Sequence, residues 1–425
     1  MPVEQGFRHN HYVPEWYQRR FLPQGQSHLF YLDLKPDERI HNGHRYVRRS
    51  LMNWGPVRCF AENDLYTVKW GNWKNTDIEK FFFGSLDNKG PAAIHYFAEF
   101  RHPSANERAF HDLMTYMSVQ KLRTPKGLAW LQFLSKSQHK NLDLIFLQRI
   151  QNIFCALWTE CIWQIADADV SPTKFIISDH PVVTYNRALP PGSDFAQGFN
   201  DPDIRMVATH TYFPLRSDRI LILTNLSWVR NPYQRETVFR PNPKMFRQAM
   251  FNFNDIQTFR SLSEQEVIQI NYITKKHAKR YIAAADKSWL FPEQLLRPQK
   301  WSKIGHGLLL MPDPREIYMG GEIIIGYNDG SSDAFSEYGH KPWQPGFKDE
   351  ERFRLESASL DRFKSEFAVM QGPNHRGSSF GFSRGGPHVD SPDFFQHYLD
   401  RVNPKTPKTI KRKNLYPMGR SRPPR

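Results

Sequence analysis

Cysteine is scarce in this sequence of 425 residues, and long apolar runs are absent from it. The three cysteines, Cys59, Cys155 and Cys161, are too few and too poorly spaced for a disulfide framework or a zinc ribbon. No run of about 18 apolar residues occurs, so no transmembrane helix is expected. The opening MPVEQGFRHNH lacks the apolar stretch of a secretory signal. The sequence therefore predicts a cytoplasmic protein with reduced thiols and no membrane partner.

The common catalytic motifs are also missing. The sequence contains no Walker phosphate loop, GxGxxG fingerprint, HExxH pair, GxSxG elbow or CxxC pair. These motifs supply phosphate cradles, metal ligands or activated nucleophiles. Their absence disfavours kinases, common NTPases, nicotinamide enzymes, zinc proteases and typical serine hydrolases. We therefore predict no cofactor and no metal ion.

Acidic residues are absent from residues 401–425, so the end of the chain is strongly basic. Over the whole chain, 58 Lys and Arg against 43 Asp and Glu give a formal net charge of +15. Such a charge favours an anionic partner, and we expect nucleic acid. Residues 371–425 are rich in Gly, Pro and Arg and cannot bury a core, so they are predicted to form a mobile tail.

Helical and strand patterns alternate along the rest of the chain. Apolar residues at helical spacing predict amphipathic helices, and Ser-x-x-Glu capping boxes at Ser104 and Ser263 predict two of their starts. The predicted helices are 107–123, 141–166 and 264–284, and the main predicted strands are 28–34, 175–177, 182–185, 211–215 and 219–224. The pattern indicates an α+β fold, with one mixed domain over 9–327 whose helical core packs on short strands. Residues 328–425 are predicted to be a linker, a short helix and the tail.

The most informative segment near the N-terminus is HNHYVPEWYQRRF, at residues 9–21. Pro14 suits a first helical turn and predicts a short helix over Glu15–Phe21. His11 is then expected just outside the helix N-terminus, where unpaired N–H groups favour a neutral imidazole or a bound anion. Two interpretations stay open: a structural, hydrogen-bonded anchor, and a catalytic group beside an anion site.

Four polar residues occupy positions where the sequence predicts a core. Gln120 and Arg123 continue the apolar stripe of helix 107–123, and Asn271 lies on the stripe of helix 264–284. Asp179 follows a buried strand, in a Ser-Asp pair at a strand break. Buried amides and charges must be hydrogen-bonded or paired. Each residue is therefore either a structural tie or a group that faces a substrate.

Several short motifs occur in a fixed order: HYVP at 11–14, QKLRTP at 120–125, SDHPV at 178–182 and FPL at 213–215. This ordered set, over about residues 9–285, resembles the domain-of-unknown-function 4238 family of mainly bacterial proteins. The family has no established activity, so the resemblance implies no mechanism. It does not cover the C-terminal extension.

The candidate site is a dispersed polar set. We assign catalysis to His11, Arg123 and Asp179, and binding to His9, Glu62, Gln120 and Asn271. Imidazole and carboxylate groups can transfer protons, and a guanidinium can stabilise a developing anion. Our first hypothesis is therefore a nuclease-like hydrolase that acts on nucleic acid, and defence against foreign nucleic acid is a setting that fits it.

A different class of protein fits the same residues. The alternative is a non-catalytic nucleic-acid-binding or interaction protein in which the buried polar network only fixes the fold. A third interpretation is a metal site on His9 and His11 with Glu62 or Asp179. It is weaker, because sequence spacing alone fixes no ligand geometry.

Overall fold

A computed structural model describes most of the chain between His9 and Ser379, and the described part is α+β. It describes residues 9–41, 44–70, 73–100, 106–136, 139–159, 161–186, 189, 193–196, 198–206, 209–225, 253, 256–296, 322–326, 329–336, 340–351, 353–354, 358 and 378–379. No helix within these residues is long and apolar enough to cross a membrane.

The described residues contain eighteen short strands and eight α-helices. The strands are β1 (His9–His11), β2 (Leu29–Asp33), β3 (Glu38–His41), β4 (His44–Val47), β5 (Leu51–Trp54), β6 (Ala61–Asn63), β7 (Val68–Trp70), β8 (Trp73–Asn75), β9 (Ile162–Asp167), β10 (Ile177–Ser178), β11 (Val183–Asn186), β12 (Thr209–Arg216), β13 (Arg219–Thr224), β14 (Gln257–Ser261), β15 (Tyr281–Ala284), β16 (Glu322–Gly326), β17 (Ser332–Ser336) and β18 (Ser378–Ser379). The α-helices are α1 (Glu15–Arg19), α2 (Gly84–Ala98), α3 (Glu107–Arg123), α4 (Pro125–Ser135), α5 (Lys140–Arg149), α6 (Cys155–Thr159), α7 (Glu264–His277) and α8 (Pro292–Leu295). A π-helical turn, Ile78–Phe83, leads into α2.

A six-stranded sheet, in the order β11-β12-β13-β9-β14-β18, is the largest sheet of the described residues. Its neighbours are antiparallel except for β9 and β14, which are parallel. The predicted pairing of the two strands around the Arg216-Ser-Asp turn is confirmed, with Tyr212 opposite Ile222. All six residues of β13 are buried, as is typical of a central strand.

A second, four-stranded sheet has the order β10-β15-β2-β5. All its neighbouring strands are antiparallel. It joins strands that are far apart in sequence, because β2 pairs with β15 through Tyr31 opposite Ala283.

Helices α2 and α3 pack on the large sheet through aromatic rings. Phe97 of α2 and Phe110 of α3 both contact Trp163 of β9, with ring centroids 5.5 and 5.6 Å apart. Trp163 is buried, and its indole N–H donates to the Trp158 carbonyl. This packing forms the helical core that the sequence predicts.

The prediction of one long helix over 141–166 is wrong. The chain forms α5, a turn, the short α6 and then β9 instead. Trp158, Cys161 and Ile165 continue a helical spacing, but Ile162–Asp167 pairs along its whole length with β13. Four of its six residues are buried. A strand buried on both faces shows no period of two, so tertiary pairing overrides the local pattern here.

The helix predicted over 264–284 starts correctly but ends too late. Ser263 and Glu266 form the predicted capping box. The helix ends at His277, and Ala278 is extended. Tyr281–Ala284 instead forms β15, because these residues pair with β2 and β10. The other predicted capping box is not the start of α3, whose N-cap is Asn106; Ser104 lies outside the described residues.

The connection between α3 and α4 is a single extended residue, Thr124. Its hydroxyl accepts a hydrogen bond from the Gly127 amide at 3.1 Å. A Cβ atom on Gly127 would overlap the carbonyl oxygens of Lys121 and Leu122, so the close approach of the two helices requires glycine there. The junction therefore brings the last turn of α3 and the first turn of α4 together.

The predicted extension is described only in part. The predicted linker contains β17, which pairs with β16 across the predicted boundary after residue 327. Most of the predicted short helix and of the tail, apart from Ser378–Ser379, lies outside the described residues.

Candidate ligand-binding site

The two histidines of the opening motif are held by one carbonyl group. His9 Nε2 lies 3.0 Å and His11 Nε2 lies 3.1 Å from the Val57 carbonyl oxygen. His11 also lies 3.7 Å from Glu15, in the first turn of α1. Burial lowers the pKa of His11, so its ring is neutral at pH 7. These contacts are those of an anchor between β1 and the segment that precedes β6.

Arg123 and Gln120 belong to a buried network at the end of α3. The Arg123 guanidinium donates to both oxygens of Asp87, at 3.1 and 2.9 Å, and its Nε donates to Gln120 at 2.8 Å. Gln120 donates in turn to the Tyr12 carbonyl at 2.7 Å. These hydrogen bonds tie α2 and the opening segment to α3, as the structural interpretation expects.

Glu79, in the π-helical turn, lies beside this network. One of its carboxyl oxygens is buried and has no hydrogen-bond partner among the described residues. Burial raises the pKa of Glu79 to about 7, and Arg123 only partly opposes that rise. A carboxyl of this kind is protonated for part of the neutral pH range.

Asp179 holds the start of β15. Its two oxygens accept hydrogen bonds from the backbone N–H groups of Lys279, Arg280 and Tyr281, at 2.6 to 2.9 Å. Burial raises the pKa of this carboxyl, and the three N–H groups oppose the rise. The Asp of a Ser-Asp pair usually accepts hydrogen bonds from backbone N–H groups of its own turn. Asp179 instead accepts them from residues about a hundred positions later in the chain.

The remaining predicted binding residues are also placed. The Asn271 side chain accepts from the Ile176 amide at 3.1 Å and donates to the Lys174 carbonyl at 2.8 Å, so it fixes the chain before β10. Glu62 is exposed on β6, opposite Asn10 of β1. The hydrogen bonds of His11, Arg123 and Asp179 thus go to three different sets of partners.

A different set of titratable groups does converge, around the carboxylate of Asp201. Lys121 of α3 and Lys126 of α4 both form ion pairs with Asp201, and the Lys126 distance is 2.6 Å. Both lysines are buried, and Asp201 has only 13% of its side chain exposed. Burial alone would raise the pKa of Asp201, but the two ammonium groups hold it well below its usual range. We call these three residues, with His180 and His277, the Asp201 cluster.

Two neutral histidines complete the Asp201 cluster. His180 Nε2 lies 3.2 Å from Asp201 Oδ2 and 3.3 Å from Lys121 Nζ, and its Nδ1 lies 2.8 Å from the Thr124 hydroxyl. Burial and the nearby Lys121 lower the pKa of His180 to about 3, so it is neutral at pH 7. His277 Nδ1 lies 3.4 Å from Asp201 Oδ1, and burial lowers the pKa of this histidine too.

The Asp201 cluster opens onto a cavity of about 400 Å³, which we call the first cavity. Lys121, Lys126, His180 and Asp201 line one part of it. Its other walls are mainly apolar and aromatic, and include Trp130, Leu134, Ile153, Phe154, Leu157 and Phe199. This combination of an apolar cavity with a few convergent polar groups is typical of small-molecule sites.

The first cavity carries a surplus of positive charge. The ionised side chains that line it are three cations, Lys121, Lys126 and Arg205, and two carboxylates, Asp201 and Asp203. Arg205 and Asp203 pair with each other at the surface, which leaves two buried ammonium groups for one buried carboxylate. Burial lowers the pKa of Lys121, since Asp201 compensates its charge only in part. An anion is the ligand that would balance this charge.

No group of three or more His, Cys, Asp or Glu side chains in the described ranges has the arrangement of a metal site. The charge of Asp201 is balanced by the ammonium groups of Lys121 and Lys126.

The Asp201 cluster was not predicted from the sequence, although two of its members lie inside the ordered motifs. Lys121 is the second residue of QKLRTP and His180 the third of SDHPV. We interpreted their neighbours Arg123 and Asp179 instead, because those residues interrupt an apolar pattern. Asp201 lies in an irregular loop, where no periodicity marks it.

Removing the charge of the Asp201 carboxylate should destabilise the folded protein. We expect Asp201→Asn to lower the free energy of unfolding by about 3–5 kcal/mol, because it leaves two buried ammonium groups without a counter-charge. Urea unfolding gives this value. Asp203→Asn is the matched control on the same loop, and it should cost about 1 kcal/mol or less, because its partner Arg205 is exposed. Equal losses in the two variants would contradict the buried-charge account. Adding Lys121→Met to Asp201→Asn should recover part of the loss.

Glu79 should make the stability depend on pH. Folding raises its pKa from about 4.5 to about 7, so the native state binds more protons than the unfolded state between these values. Stability then falls as the pH rises through this window. Glu79→Gln should therefore be more stable than the parent by about 1–3 kcal/mol at pH 8 and almost equal to it at pH 4. A difference that does not grow with pH in denaturant unfolding would count against a buried, protonated Glu79.

Comparison with known proteins supports the resemblance drawn from the motifs. A family model described as "Protein of unknown function (DUF4238)" matches residues 128–288. No curated protein and no solved structure matches the chain. The match contains His180, Asp201 and His277, and it begins just after Lys126. It confirms the resemblance to the DUF4238 family over residues 128–288.

Proposed function

We propose that this protein binds a phosphate-bearing, nucleotide-like ligand in the first cavity and acts on nucleic acid. One observation carries the proposal: a single carboxylate, Asp201, is shared by two buried ammonium groups at the wall of a largely apolar cavity. A phosphate group would take up the surplus positive charge of the Asp201 cluster. The aromatic walls would receive a base or another flat apolar group.

The size of the first cavity agrees with such a ligand. Cavities for small molecules and cofactors usually measure about 300–1,000 Å³, and this one measures about 400 Å³. Trp130 and Phe154 lie with ring centroids 6.0 Å apart in its wall. The formal net charge of +15 favours nucleic acid as the source of the nucleotide.

In the catalytic form of the proposal, the protein is a nuclease-like hydrolase. Water would attack the phosphorus atom, the P–O bond to the sugar would break, and an N–H of Lys121 would protonate the leaving oxygen. The proton lost by the water would return to the Lys121 amine through solvent. A pKa lowered by burial makes Lys121 a better proton donor than an exposed lysine.

The same hypothesis placed on His11, Arg123 and Asp179 has less support. Arg123 donates three hydrogen bonds to Asp87 and Gln120, and the oxygens of Asp179 accept from three backbone N–H groups. Neither residue lines the first cavity. The non-catalytic alternative stays open, because neutral His180 is a poor base and the Asp201 cluster can bind a ligand without chemistry. Under that alternative, ligand binding is the same and turnover is absent.

Calorimetric titration with adenosine 5′-monophosphate, adenosine and inorganic phosphate tests the proposal. We expect the monophosphate to bind more tightly than either fragment. Lys121→Met should weaken this binding about tenfold or more, because it removes one ammonium but keeps the length of the side chain. Lys89→Met, at an exposed position of α2, is the control and should leave the affinity unchanged.

A second variant tests the proposal independently, in case Lys121→Met does not fold. Trp130→Ala keeps every charge of the first cavity. It should weaken the binding of adenosine 5′-monophosphate more than the binding of inorganic phosphate. No binding of the monophosphate to the folded parent protein, or equal binding to Lys121→Met and Lys89→Met, would overturn the proposal. Turnover of RNA or single-stranded DNA that is lost in Lys121→Met would select the hydrolase over the non-catalytic form.

A further inference from the structure

A second cavity, of about 640 Å³, adjoins the first. Lys126 and Phe199 line both cavities. Because Lys126 binds Asp201 and also donates to the His277 carbonyl at 3.1 Å, the wall between the cavities is part of the Asp201 cluster. The two cavities therefore lie side by side, with Lys126 and Phe199 between them.

The second cavity is strongly basic. Besides Lys126, its walls contain Lys35, Lys275, Lys276 and Lys279, and their acidic counterpart there is Glu293. Glu293 is bound by Lys275 at 2.8 Å. Basic residues in a last helical turn commonly balance the helix dipole, and this accounts for Lys275 and Lys276. Lys279 directly follows the end of this helix, and its Nζ donates to the Pro125 carbonyl at 3.0 Å. Lys35 follows β2 and is not accounted for by the helix dipole.

His277 gives independent evidence of a missing polar partner in the second cavity. It lines that cavity, yet its side chain is buried. Its Nδ1 lies 3.4 Å from Asp201 Oδ1, within ion-pair distance, whereas its Nε2 has no hydrogen-bond partner among the described residues. Buried polar groups are nearly always hydrogen-bonded. An unsatisfied imidazole nitrogen in a cavity wall is therefore expected to meet a polar ligand.

We propose that the second cavity binds the backbone of a single-stranded nucleic acid whose terminal nucleotide occupies the first cavity. The lysines would contact successive phosphates, and His277 would bond a phosphate or sugar oxygen. Tyr272 and Phe199 in the walls supply rings on which a base can stack. Basic side chains interleaved with aromatic rings are typical of single-strand binding. This inference rests on the proposed function of the first cavity.

The test compares adenosine 5′-monophosphate with a 5′-phosphorylated oligodeoxyadenylate of about eight nucleotides, both titrated into the full chain. The oligonucleotide should bind about tenfold or more tightly than the monophosphate. The double variant Lys276→Gln/Lys279→Gln should remove most of this gain. It should also flatten the slope of log K against log salt by about 1.4, since each phosphate contact on a single strand contributes roughly 0.7.

The double variant should leave the affinity for the monophosphate unchanged. Lys287→Gln is the matched control, because this lysine is exposed, near in sequence and outside the walls of the second cavity. Any binding by the basic tail is the same in all these full-length proteins and cancels in the comparison. His277→Phe keeps a ring of similar size but removes both nitrogens, and it should weaken binding of the oligonucleotide.

The two proposals fail in different ways. Suppose that the monophosphate binds through Lys121, but the oligonucleotide binds no more tightly or the double variant behaves like Lys287→Gln. This inference is then overturned and the proposed function stands. If the monophosphate does not bind, or binds without regard to Lys121, the proposed function is overturned and this inference falls with it.

Discussion

The shared carboxylate of Asp201 is the interaction on which the rest of the site depends. Two ammonium groups and one carboxylate are removed from bulk water at one place, and such burial is tolerated only when the charges pair closely. The pairing joins the end of α3, the start of α4 and the loop that carries Asp201. Gly127 permits this, because only glycine lets the start of α4 lie against the last carbonyls of α3.

The networks around Arg123 and Asp179 have a different role, because their hydrogen bonds go to groups of the protein itself. Arg123 donates three hydrogen bonds to Asp87 and Gln120, and Asp179 accepts three from the backbone at the start of β15. The Asp201 cluster is left with a surplus of positive charge and with a ring nitrogen, His277 Nε2, that has no hydrogen-bond partner among the described residues. Saturated networks stabilise a fold, whereas an unbalanced one beside a cavity indicates a ligand.

Much of the fold was predictable where a local signal agrees with the tertiary structure. The capping box at Ser263 and the paired strands of 209–224 are examples, because side-chain chemistry and periodicity alone determine them. The helix predicted over 141–166 failed because β9 is defined by its partner strands and not by its own pattern. The prediction of the site failed for a related reason. Polar residues that interrupt an apolar helical stripe can be recognised in a sequence. The role of Asp201 cannot, because it depends on contacts with two lysines about 80 positions earlier.

A crystal structure of the full chain with adenosine 5′-monophosphorothioate tests the central claim most directly, because the anomalous signal of sulfur locates the phosphate. Our account predicts the sulfur peak in the first cavity, with the thiophosphate within hydrogen-bond distance of Lys121 Nζ and the base against Trp130 or Phe154. Thiophosphate bound elsewhere at saturating concentration, with the first cavity holding only water, would contradict it.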